Sequence, residues 1–329
     1  MTCGDPVARQ RAAQGRPEAE ALMERWIRLM RTGRWEAAWR QRDRSLLEVG
    51  PDECLRPRHL QRLWRGQPIA GRRVLIACQH GLGDTVQFVR YVPMVAEVAR
   101  YVALAVQPSL MPLVETLPGL DRVVPLDDGP PDRDVDVDVL VEVMELAHLF
   151  RSTPDTVPAA VPYLSVPAVV AERQGTQPRL GFAWRAGEWD VQRSLPSRDA
   201  RALVADLPCD LVPLLPDPRP DEAALFGHGP GPQAVTSLAA TLVSVDLVVT
   251  VDTLFAHLAG ALGIPVWILL RADADWRWMQ DRDDSPWYPT ARLFRQSQPG
   301  EWADVARRVR RQLAGWCRAG RRREARLPT

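Results

Sequence analysis

The sequence predicts an α/β protein built from two doubly wound parallel domains that follow a short N-terminal helical hairpin. Strand-like and helix-like segments alternate from residue 72 to residue 141, and a second alternating region begins at residue 179. A proline-rich stretch with few periodic signals, 151–178, separates the two regions and is typical of a linker. Because alternating strands and helices form parallel sheets covered by helices, each region is expected to fold around its own sheet.

The composition is that of an ordinary globular protein and excludes several classes. The chain has 329 residues, of which 46% are hydrophobic and 25% charged, and its net charge of +1 gives no reason to expect nucleic acid. No apolar run has the length of a membrane span and no secretory signal is visible, so a cytoplasmic location is expected. The five cysteines are scattered, which argues against a disulfide framework and against a zinc site. All 42 basic residues are arginine, so any side chain that binds phosphate through a positive charge must be a guanidinium.

Two helical patterns flank Gly33 near the N-terminus and resemble a single tetratricopeptide-type hairpin. One such repeat cannot bury its own apolar face, so the hairpin is expected to pack on the next domain. A role in docking a protein partner is the alternative. The predicted regions are a disordered N-terminus (1–16), the hairpin (17–60), an N-terminal domain (61–165), a C-terminal domain (178–318) and a basic tail (319–329).

Periodicity and turn residues place the elements of both domains. In the N-terminal domain we expect strands at 72–78, 101–106, 122–126 and 135–141, with helices at 85–100 (kinked at Pro93) and 109–117. In the C-terminal domain we expect strands at 179–184, 210–215, 247–251, 266–270 and 292–295, with helices at 197–207, 237–245, 254–262 and 301–318.

The strand–helix–strand unit 247–270 contains the first candidate site. Asp252 and Thr253 stand between its first strand and its helix, where the first-turn N–H groups and the helix dipole favour phosphate. His257 lies four residues after Thr253, on the same helix face, and its side chain leans back toward that turn. The three side chains are therefore candidates to bind one diphosphate. The alternative is a capped core helix with a fully hydrogen-bonded histidine.

The second candidate site is the loop GLGD, which precedes the first helix of the N-terminal domain. Gly81 and Gly83 allow a tight turn and a close approach of backbone to a ligand. The loop lacks the third glycine of a dinucleotide fingerprint and the lysine of a P-loop. Asp84 is expected at the helix N-terminus, where it faces the cleft beyond the strand ends or simply caps the helix.

Three segments together resemble bacterial glycosyltransferases related to glycosyltransferase family 9, which includes the ADP-heptose:lipopolysaccharide heptosyltransferases. They are GLGDTVQFVRYVP, VDTLFAHLAGALGIPVWILL and DWRWMQDRDDSPWYPTARLFRQ, and the closest pattern is the branch in which tetratricopeptide repeats precede the transferase. The resemblance implies a GT-B fold, in which two Rossmann-like domains face a cleft. It also implies an inverting enzyme without metal or other cofactor, with the acceptor on the N-terminal domain and the nucleotide-sugar on the C-terminal domain.

The resemblance assigns roles to particular residues. Asp84 matches the acidic residue that acts as base, and the candidate diphosphate group of Asp252, Thr253 and His257 matches the family's diphosphate motif. Arg185 and Arg193 fall in the segment that approaches the donor phosphates.

The chain also departs from the family. The repeat-containing branch carries Glu-Gln where this sequence has Gln79 and His80, and the phosphate-binding lysine of heptosyltransferases has no counterpart. Glu222 is only a weak match to the glutamate that binds the donor ribose.

The expected function is sugar transfer from an ADP-heptose-like donor to a glycan, lipid-linked or protein acceptor. A catalytically silent scaffold that keeps the fold, and a nucleotide-sugar epimerase on the same fold, are the alternatives. Trp276 and Trp287 either stack on a base or sugar or pack between the domains. Contact with an anionic inner-membrane surface is a further expectation, carried by arginines of the C-terminal helix and tail: Arg307, Arg308, Arg310, Arg311, Arg318 and Arg321 to Arg323.

Overall fold

The computed structural model of the protein describes residues 20–47, 62–129, 131, 135–166, 177–227 and 234–324. The predicted disordered N-terminus and the last five residues of the basic tail lie outside them. Within the described ranges, the chain forms a helical hairpin and two parallel sheets flanked by helices. The hairpin and the two α/β units occur in the order that the sequence predicts.

The hairpin consists of α1 (residues 20–31) and α2 (Trp35–Leu47). Gly33 joins the helices with a φ of +74°, a left-handed conformation that favours glycine. The Trp35 ring stacks on Trp287 with a centroid separation of 5.2 Å, and the Trp39 indole donates to the Ser152 carbonyl oxygen at 2.7 Å. The hairpin therefore packs on both α/β units and not only on the one that follows it in sequence.

The N-terminal sheet has four parallel strands in the order β3-β2-β1-β4. Their bounds are β1 (Arg73–Ala77), β2 (Tyr101–Val106), β3 (Arg122–Pro125) and β4 (Val139–Glu142). The strand predicted from residue 135 begins only at Val139, because its partner β1 starts at Arg73 and Val74 pairs with Val139. Val135 and Val137 are nevertheless buried, which explains the apolar pattern that extended the prediction.

The helices of the N-terminal half, defined as the β1–β4 sheet with its helices, are shorter than predicted. They are α3 (Leu82–Phe88), α4 (Val92–Ala96), α5 (Met111–Val114) and α6 (Leu146–Leu149), of which α6 was not predicted. The helix predicted as continuous is divided by a 3-10 turn at Val89–Tyr91. Pro93 lies in the first turn of α4, where its missing N–H costs no hydrogen bond.

The C-terminal sheet has five parallel strands in the order β6-β5-β7-β8-β9. They are β5 (Arg179–Ala183), β6 (Asp210–Pro213), β7 (Leu247–Val251), β8 (Val266–Leu270) and β9 (Ala291–Arg295). The helices around them are α7 (Ser197–Val204), α8 (Pro220–Phe226), α9 (Val235–Val243), α10 (Leu254–Ala261) and α11 (Trp302–Glu324). We call this sheet with its helices the C-terminal half. The strand–helix–strand unit β7–α10–β8 is confirmed, with both strands at their predicted bounds.

A buried interface joins the two halves. Helix α3 packs on α10 so closely that a Cβ at Gly83 would lie 2.9 Å from Cδ2 of His257. Arg90, 4% exposed, donates to the Trp287 carbonyl oxygen at 2.5 Å and to the Tyr163 hydroxyl at 2.8 Å. The ends of both sheets are thereby held against one cleft.

No helix in the described part of the chain is both long enough and apolar enough to cross a bilayer.

Candidate functional site

A cleft of about 670 Å³ lies between the two halves, where the carboxyl ends of β1 and β7 meet. Ligands of open α/β sheets bind at this edge. The hairpin adds Arg31 to its wall. The other charged or polar side chains of the lining are His80, Asp84, Asp190, Arg193, Asp252, Thr253, His257, Arg271, Asp273, Asp275 and Arg277.

Asp84 both caps a helix and faces the cleft, so the two alternatives left by the sequence coexist. It occupies the third position of α3, where its Oδ2 accepts the backbone N–H of Gly81 at 3.1 Å. Its Oδ1 accepts a hydrogen bond from Arg277 Nη2 at 2.6 Å. The capping contact fixes the carboxylate at the cleft, and the arginine contact connects it to the C-terminal half.

The two glycines of the loop have different roles. Gly83 contacts the ring of His257, and any side chain at this position would collide with it. Gly81 has an ordinary extended backbone, and a Cβ there would meet only Asp84 Oδ2, at 3.3 Å. The close approach between the halves therefore depends on Gly83, while Gly81 supplies the N–H that holds Asp84.

Thr253 begins α10 as its N-cap residue, with extended backbone. Its hydroxyl contacts Thr250 Oγ1 at 3.2 Å and the Val251 carbonyl oxygen at 3.3 Å, and it makes no side-chain capping hydrogen bond. The first-turn N–H groups are thus not occupied by this side chain. Thr253 and Leu254 line the cleft, so this helix N-terminus faces the space in which an anion would bind.

His257 is 5% exposed and lies against the rings of two aromatic residues. Its Nδ1 lies 3.0 Å from the Tyr288 hydroxyl, and its ring stacks on Trp278 with centroids 5.3 Å apart. Burial, followed by the positive charge of Arg277, lowers the pKa of His257 to about 3. The imidazole is therefore neutral at pH 7, and it can offer a ligand a hydrogen bond but no positive charge.

Asp252 is also buried, at 7% exposure. Burial, followed by the negative charge of Asp275, raises the pKa of Asp252 to about 6. Arg193 reaches this carboxylate from the 3-10 segment Glu188–Arg193, with Nη1 at 3.7 Å from Asp252 Oδ2. The structure thus brings Arg193 into the cleft together with the predicted diphosphate group.

Arg185 does not join this group. Its Nη2 donates to the Asp217 carbonyl oxygen at 2.7 Å, and its Nε lies 3.4 Å from Glu222 Oε1, so the side chain turns away from the cleft lining. Glu222 is buried and accepts the indole N–H of Trp184 at 3.0 Å and the backbone N–H of Arg219 at 2.8 Å. Both residues hold the start of α8 in place, which differs from the ligand contacts that the sequence suggested.

Trp276 and Trp287 are 8% and 0% exposed, respectively. Trp276 contacts Trp26 of the hairpin edge to face at 5.3 Å, and Trp287 is covered by Trp35 and Phe88. These two indoles pack between the hairpin and the halves instead of presenting a face to a base or sugar, which is the alternative that the sequence left open.

Arg277 is a cleft residue that the sequence analysis missed. Its guanidinium donates to Asp84 Oδ1 at 2.6 Å, to Asp275 Oδ1 at 2.9 Å and to Gln87 Oε1 at 2.9 Å. The only local signal was a charged residue within the aromatic segment DWRWM. Its pairing with Asp84, 193 positions earlier, follows from the packing of the two halves.

Glu142, at the end of β4, lies beside the cleft residue His80 and is a second residue to which the sequence assigns no role. Its Oε2 accepts the backbone N–H of Met144 at 2.7 Å, and its Oε1 lies 3.7 Å from Nε2 of His80. Burial raises the pKa of Glu142 to about 7. A carboxylate from β4 thus lies beside the loop in which Gln79 and His80 replace the Glu-Gln of the resembled branch.

Positive and negative side chains line the cleft in nearly equal numbers. Four arginines and five aspartates line it. Arg271 lies 3.4 Å from Asp190 and 2.7 Å from Asp273, and the guanidinium of Arg277 is shared between two further aspartates. In the described ranges, no group of three or more His, Cys, Asp or Glu side chains is arranged to hold a metal ion.

Comparison with solved structures identifies the fold. The chain superimposes on a glycosyltransferase family 9 protein from Veillonella parvula with a TM-score of 0.57 and 10% identity, over 78% of this chain and 98% of that one. It also superimposes on the ADP-heptose lipopolysaccharide heptosyltransferase II of E. coli with a TM-score of 0.53 and 13% identity, over 77% and 99%. The resemblance to family 9 is thus confirmed at the level of the fold, which is GT-B with an added helical hairpin.

Comparison of sequences does not assign the chain to a family. No protein-family model matches the chain. Protein FlbA of Caulobacter vibrioides is 26% identical over 286 residues, which cover 75% of this chain and 47% of FlbA. The chain therefore spans about half the length of this curated relative.

Proposed function

We propose that the protein is an inverting glycosyltransferase that moves a sugar from a nucleoside-diphosphate donor to a hydroxyl group of an acceptor. The observation that carries the proposal is the convergence of two unlike groups on one cleft. Asp84 lies on the N-terminal half, and the N-terminus of α10 lies on the C-terminal half with Asp252, Thr253 and His257. One group suits proton removal and the other suits a phosphate leaving group.

The donor side combines a helix N-terminus with arginine. The first turn of α10 offers backbone N–H groups, and Arg193 and Arg277 supply positive charge in the same cleft. These groups can neutralise the charge that develops on a departing nucleoside diphosphate without a metal ion. The similar E. coli structure is named for ADP-heptose, so donors of that type are the first to test.

The acceptor side rests on Asp84. An acceptor hydroxyl becomes a good nucleophile only as its proton is removed, and a positioned carboxylate can accept that proton. Attack from the side opposite the departing diphosphate inverts the anomeric centre. The acceptor class that we propose comprises glycans, lipid-linked glycans and proteins.

A non-catalytic scaffold is the second candidate, and one observation favours it. Arg271 and Arg277 are already paired with aspartates, and a donor phosphate must compete with these carboxylates. The hairpin would then recruit a protein partner through its outward face, where Leu22 and Met23 are exposed.

The deciding experiment is incubation of the protein with a panel of nucleotide-sugars, with and without a hydroxylated acceptor. A transferase releases nucleoside diphosphate only when the acceptor is present, an epimerase converts the donor without one, and a scaffold leaves the donor intact. Thermal shift with ADP, GDP, UDP and dTDP selects the nucleotide beforehand, because a ligand that binds the folded state raises the melting temperature.

We also propose that α11 contacts an anionic membrane surface, through fewer of its arginines than the sequence suggested. Arg308 donates to Asp304 at 2.8 Å, and Arg310 donates to backbone carbonyl oxygens of the α7 segment. These two guanidinium groups are engaged within the protein. Arg307 also donates to Asp304, at 3.2 Å, but its side chain is 70% exposed, so it forms, with the exposed Arg311 and Arg318, the surface that we propose meets anionic lipid.

A further inference from the structure

We propose that Arg277 couples donor binding to the base: an incoming diphosphate takes the guanidinium from Asp84, and this exchange frees the carboxylate to accept a proton. The catalytic half of this inference rests on the proposed glycosyltransferase function. The competition between Asp84 and diphosphate for Arg277 does not, and it can be tested by binding alone.

The first support is the way in which Arg277 is held. It comes from the 3-10 turn Trp276–Trp278 of the C-terminal half, and its side chain is only 9% exposed. Its guanidinium carbon lies 4.7 Å from the centroid of the Trp276 ring and 5.5 Å from that of Phe88, which fixes its plane. The packed rings keep the guanidinium at the cleft, so an anion that enters meets it in this plane and competes with the carboxylates of Asp84 and Asp275 for its N–H groups.

The second support is the state of Asp84. Gly81 N–H occupies one carboxylate oxygen at 3.1 Å, and Arg277 occupies the other at 2.6 Å. Both oxygens of the proposed base are therefore engaged. The Gly81 contact belongs to the helix cap and can persist during a reaction, whereas the Arg277 contact crosses between the halves and can be exchanged.

The third support is that Arg277 lies within electrostatic reach of the proposed diphosphate site. Its charge lowers the pKa of His257, second only to burial, and it also favours the charged form of Asp252. All three residues line the same cleft. A diphosphate at the N-terminus of α10 carries more negative charge than one carboxylate, and a guanidinium binds phosphate oxygens in a bidentate fork.

The exchange gives Arg277 a catalytic role in the transfer step. The acceptor hydroxyl proton moves to Asp84 as the acceptor oxygen forms a bond to the anomeric carbon. The bond from that carbon to the phosphate oxygen breaks, and its electron pair leaves with the nucleoside diphosphate. Arg277 then faces the developing negative charge on the leaving group, and Asp84 becomes a free base only after the donor has bound.

The test is calorimetric titration of ADP, GDP and UDP into the wild type, Asp84→Asn, Arg277→Gln and the double variant. Asp84→Asn removes the competitor, so the affinity for the nucleotide that binds should rise roughly threefold to thirtyfold. Arg277→Gln should lower that affinity at least about tenfold, and in its background Asp84→Asn should no longer matter. Asp284→Asn, which breaks the exposed pair with Arg282, is the matched control and should leave affinity unchanged.

Unchanged or weaker nucleotide binding by Asp84→Asn overturns the proposal. This variant should fold, because the Asp84 side chain is 28% exposed and the asparagine amide has nearly the same size as the carboxylate. An equal gain in the Arg277→Gln background also overturns it, because the effect would then be general electrostatics. The proposal is also overturned if the wild-type protein binds none of the three nucleotides. A gain that depends on Arg277, in a protein that transfers no sugar, supports the exchange and rejects the glycosyltransferase function.

Discussion

Burial controls the charges of single residues in the cleft. His257 is held neutral by its surroundings, with its pKa lowered to about 3, while the pKa of Asp252 is raised to about 6. Both shifts have desolvation as their largest cause, so they disfavour charge of either sign near the N-terminus of α10. The arginines therefore carry the positive potential of the site.

Asp84 is the residue on which turnover should depend. Asp84→Asn keeps the size of the side chain but removes its basicity, so kcat should fall by about 10²–10⁴-fold while nucleotide affinity does not fall. Turnover and nucleotide titration on the same purified variant test this. Near-normal turnover would leave Asp84 with a capping role alone, and a loss of nucleotide affinity would make it a donor ligand.

Glu142 gives a prediction about stability. Folding raises its pKa from the ordinary 4.5 to about 7, so the protonated form is favoured in the folded state and the carboxyl disfavours folding increasingly as the pH rises toward 7. Glu142→Gln cannot ionise, so its free energy of unfolding should improve relative to the wild type by up to about 3 kcal/mol between pH 5 and pH 8. Urea denaturation at the two pH values measures this difference.

Glu145, one turn further along the chain, is the matched control for that experiment. Burial alone would raise the pKa of Glu145, but hydrogen bonds from His148 and Arg42 hold it below its ordinary value. It is therefore ionised across the same pH range in the folded state. The negative charge of Glu145 also helps to raise the pKa of Glu142, so Glu145→Gln should show a smaller gain in stability with rising pH than Glu142→Gln does, and equal behaviour of the two variants would contradict the account of Glu142.

The sequence located those cleft residues whose position depends on local context, while their roles stay predictions. Gly83, Asp84 and Thr253 stand at strand-to-helix turns and His257 lies in the first turn of the helix that follows, and such turn chemistry is visible over a few neighbouring positions. Arg277 could not be predicted in this way, because its importance comes from an ion pair with a residue on the other half. For the same reason the sequence could not show that Arg185, only a few residues from Arg193, contacts Asp217 and Glu222 outside the cleft lining.

The hairpin packs against both halves of the molecule, although the sequence predicts only that it packs on the domain that follows it. It contacts the C-terminal half through Trp35 and the N-terminal half through Trp39, and Arg31 Nη2 donates to the Asp273 carbonyl oxygen at 2.5 Å. It therefore bridges the two halves next to the cleft.

Trp35→Ala tests this bridge. The side chain is fully buried, and removal of a buried tryptophan typically costs about 3–5 kcal/mol of folding free energy. Chemical denaturation should show a loss of that size. Met23→Ala on the exposed face of α1 is the control and should change stability by less than about 0.5 kcal/mol. Similar small effects of both variants would mean that the hairpin is not part of the core.

Strands were predicted more accurately than helices, for a physical reason. Strands β7 and β8 are buried on nearly every side chain, so their apolar runs mark their ends clearly. Helix α8 was missed because its segment, rich in proline and acidic residues, has the composition of a loop, and its start depends on Glu222 accepting the Arg219 N–H. The 3-10 turns that divide the longer helical patterns depend on tertiary packing.

At the scale of the whole molecule, donor binding is predicted to be independent of metal. The helix N-terminus and the cleft arginines supply the positive potential that a cation would otherwise provide. Transfer activity should be unchanged by EDTA within experimental error. Activity that EDTA abolishes and magnesium or manganese restores would refute the prediction.

The outer face of α11 gives a second prediction at this scale. Vesicles containing anionic lipid should retain the protein at low salt, with about 1 kcal/mol of attraction for each engaged arginine. Replacement of Arg307, Arg311 and Arg318 by glutamine should abolish this retention. Equal recovery of the wild type with neutral and anionic vesicles in a flotation assay would defeat the idea.

The contact of Gly83 with His257 has a consequence for how the protein unfolds. Next to this contact the interface is closed: Arg90 is 4% exposed and Trp287 is fully buried, and Trp35 of the hairpin stacks on the Trp287 ring. Separation of the halves would expose aromatic rings and leave a buried guanidinium without its partners. The two sheets and the hairpin therefore form one cooperative unit, in which neither sheet is expected to survive the melting of the other.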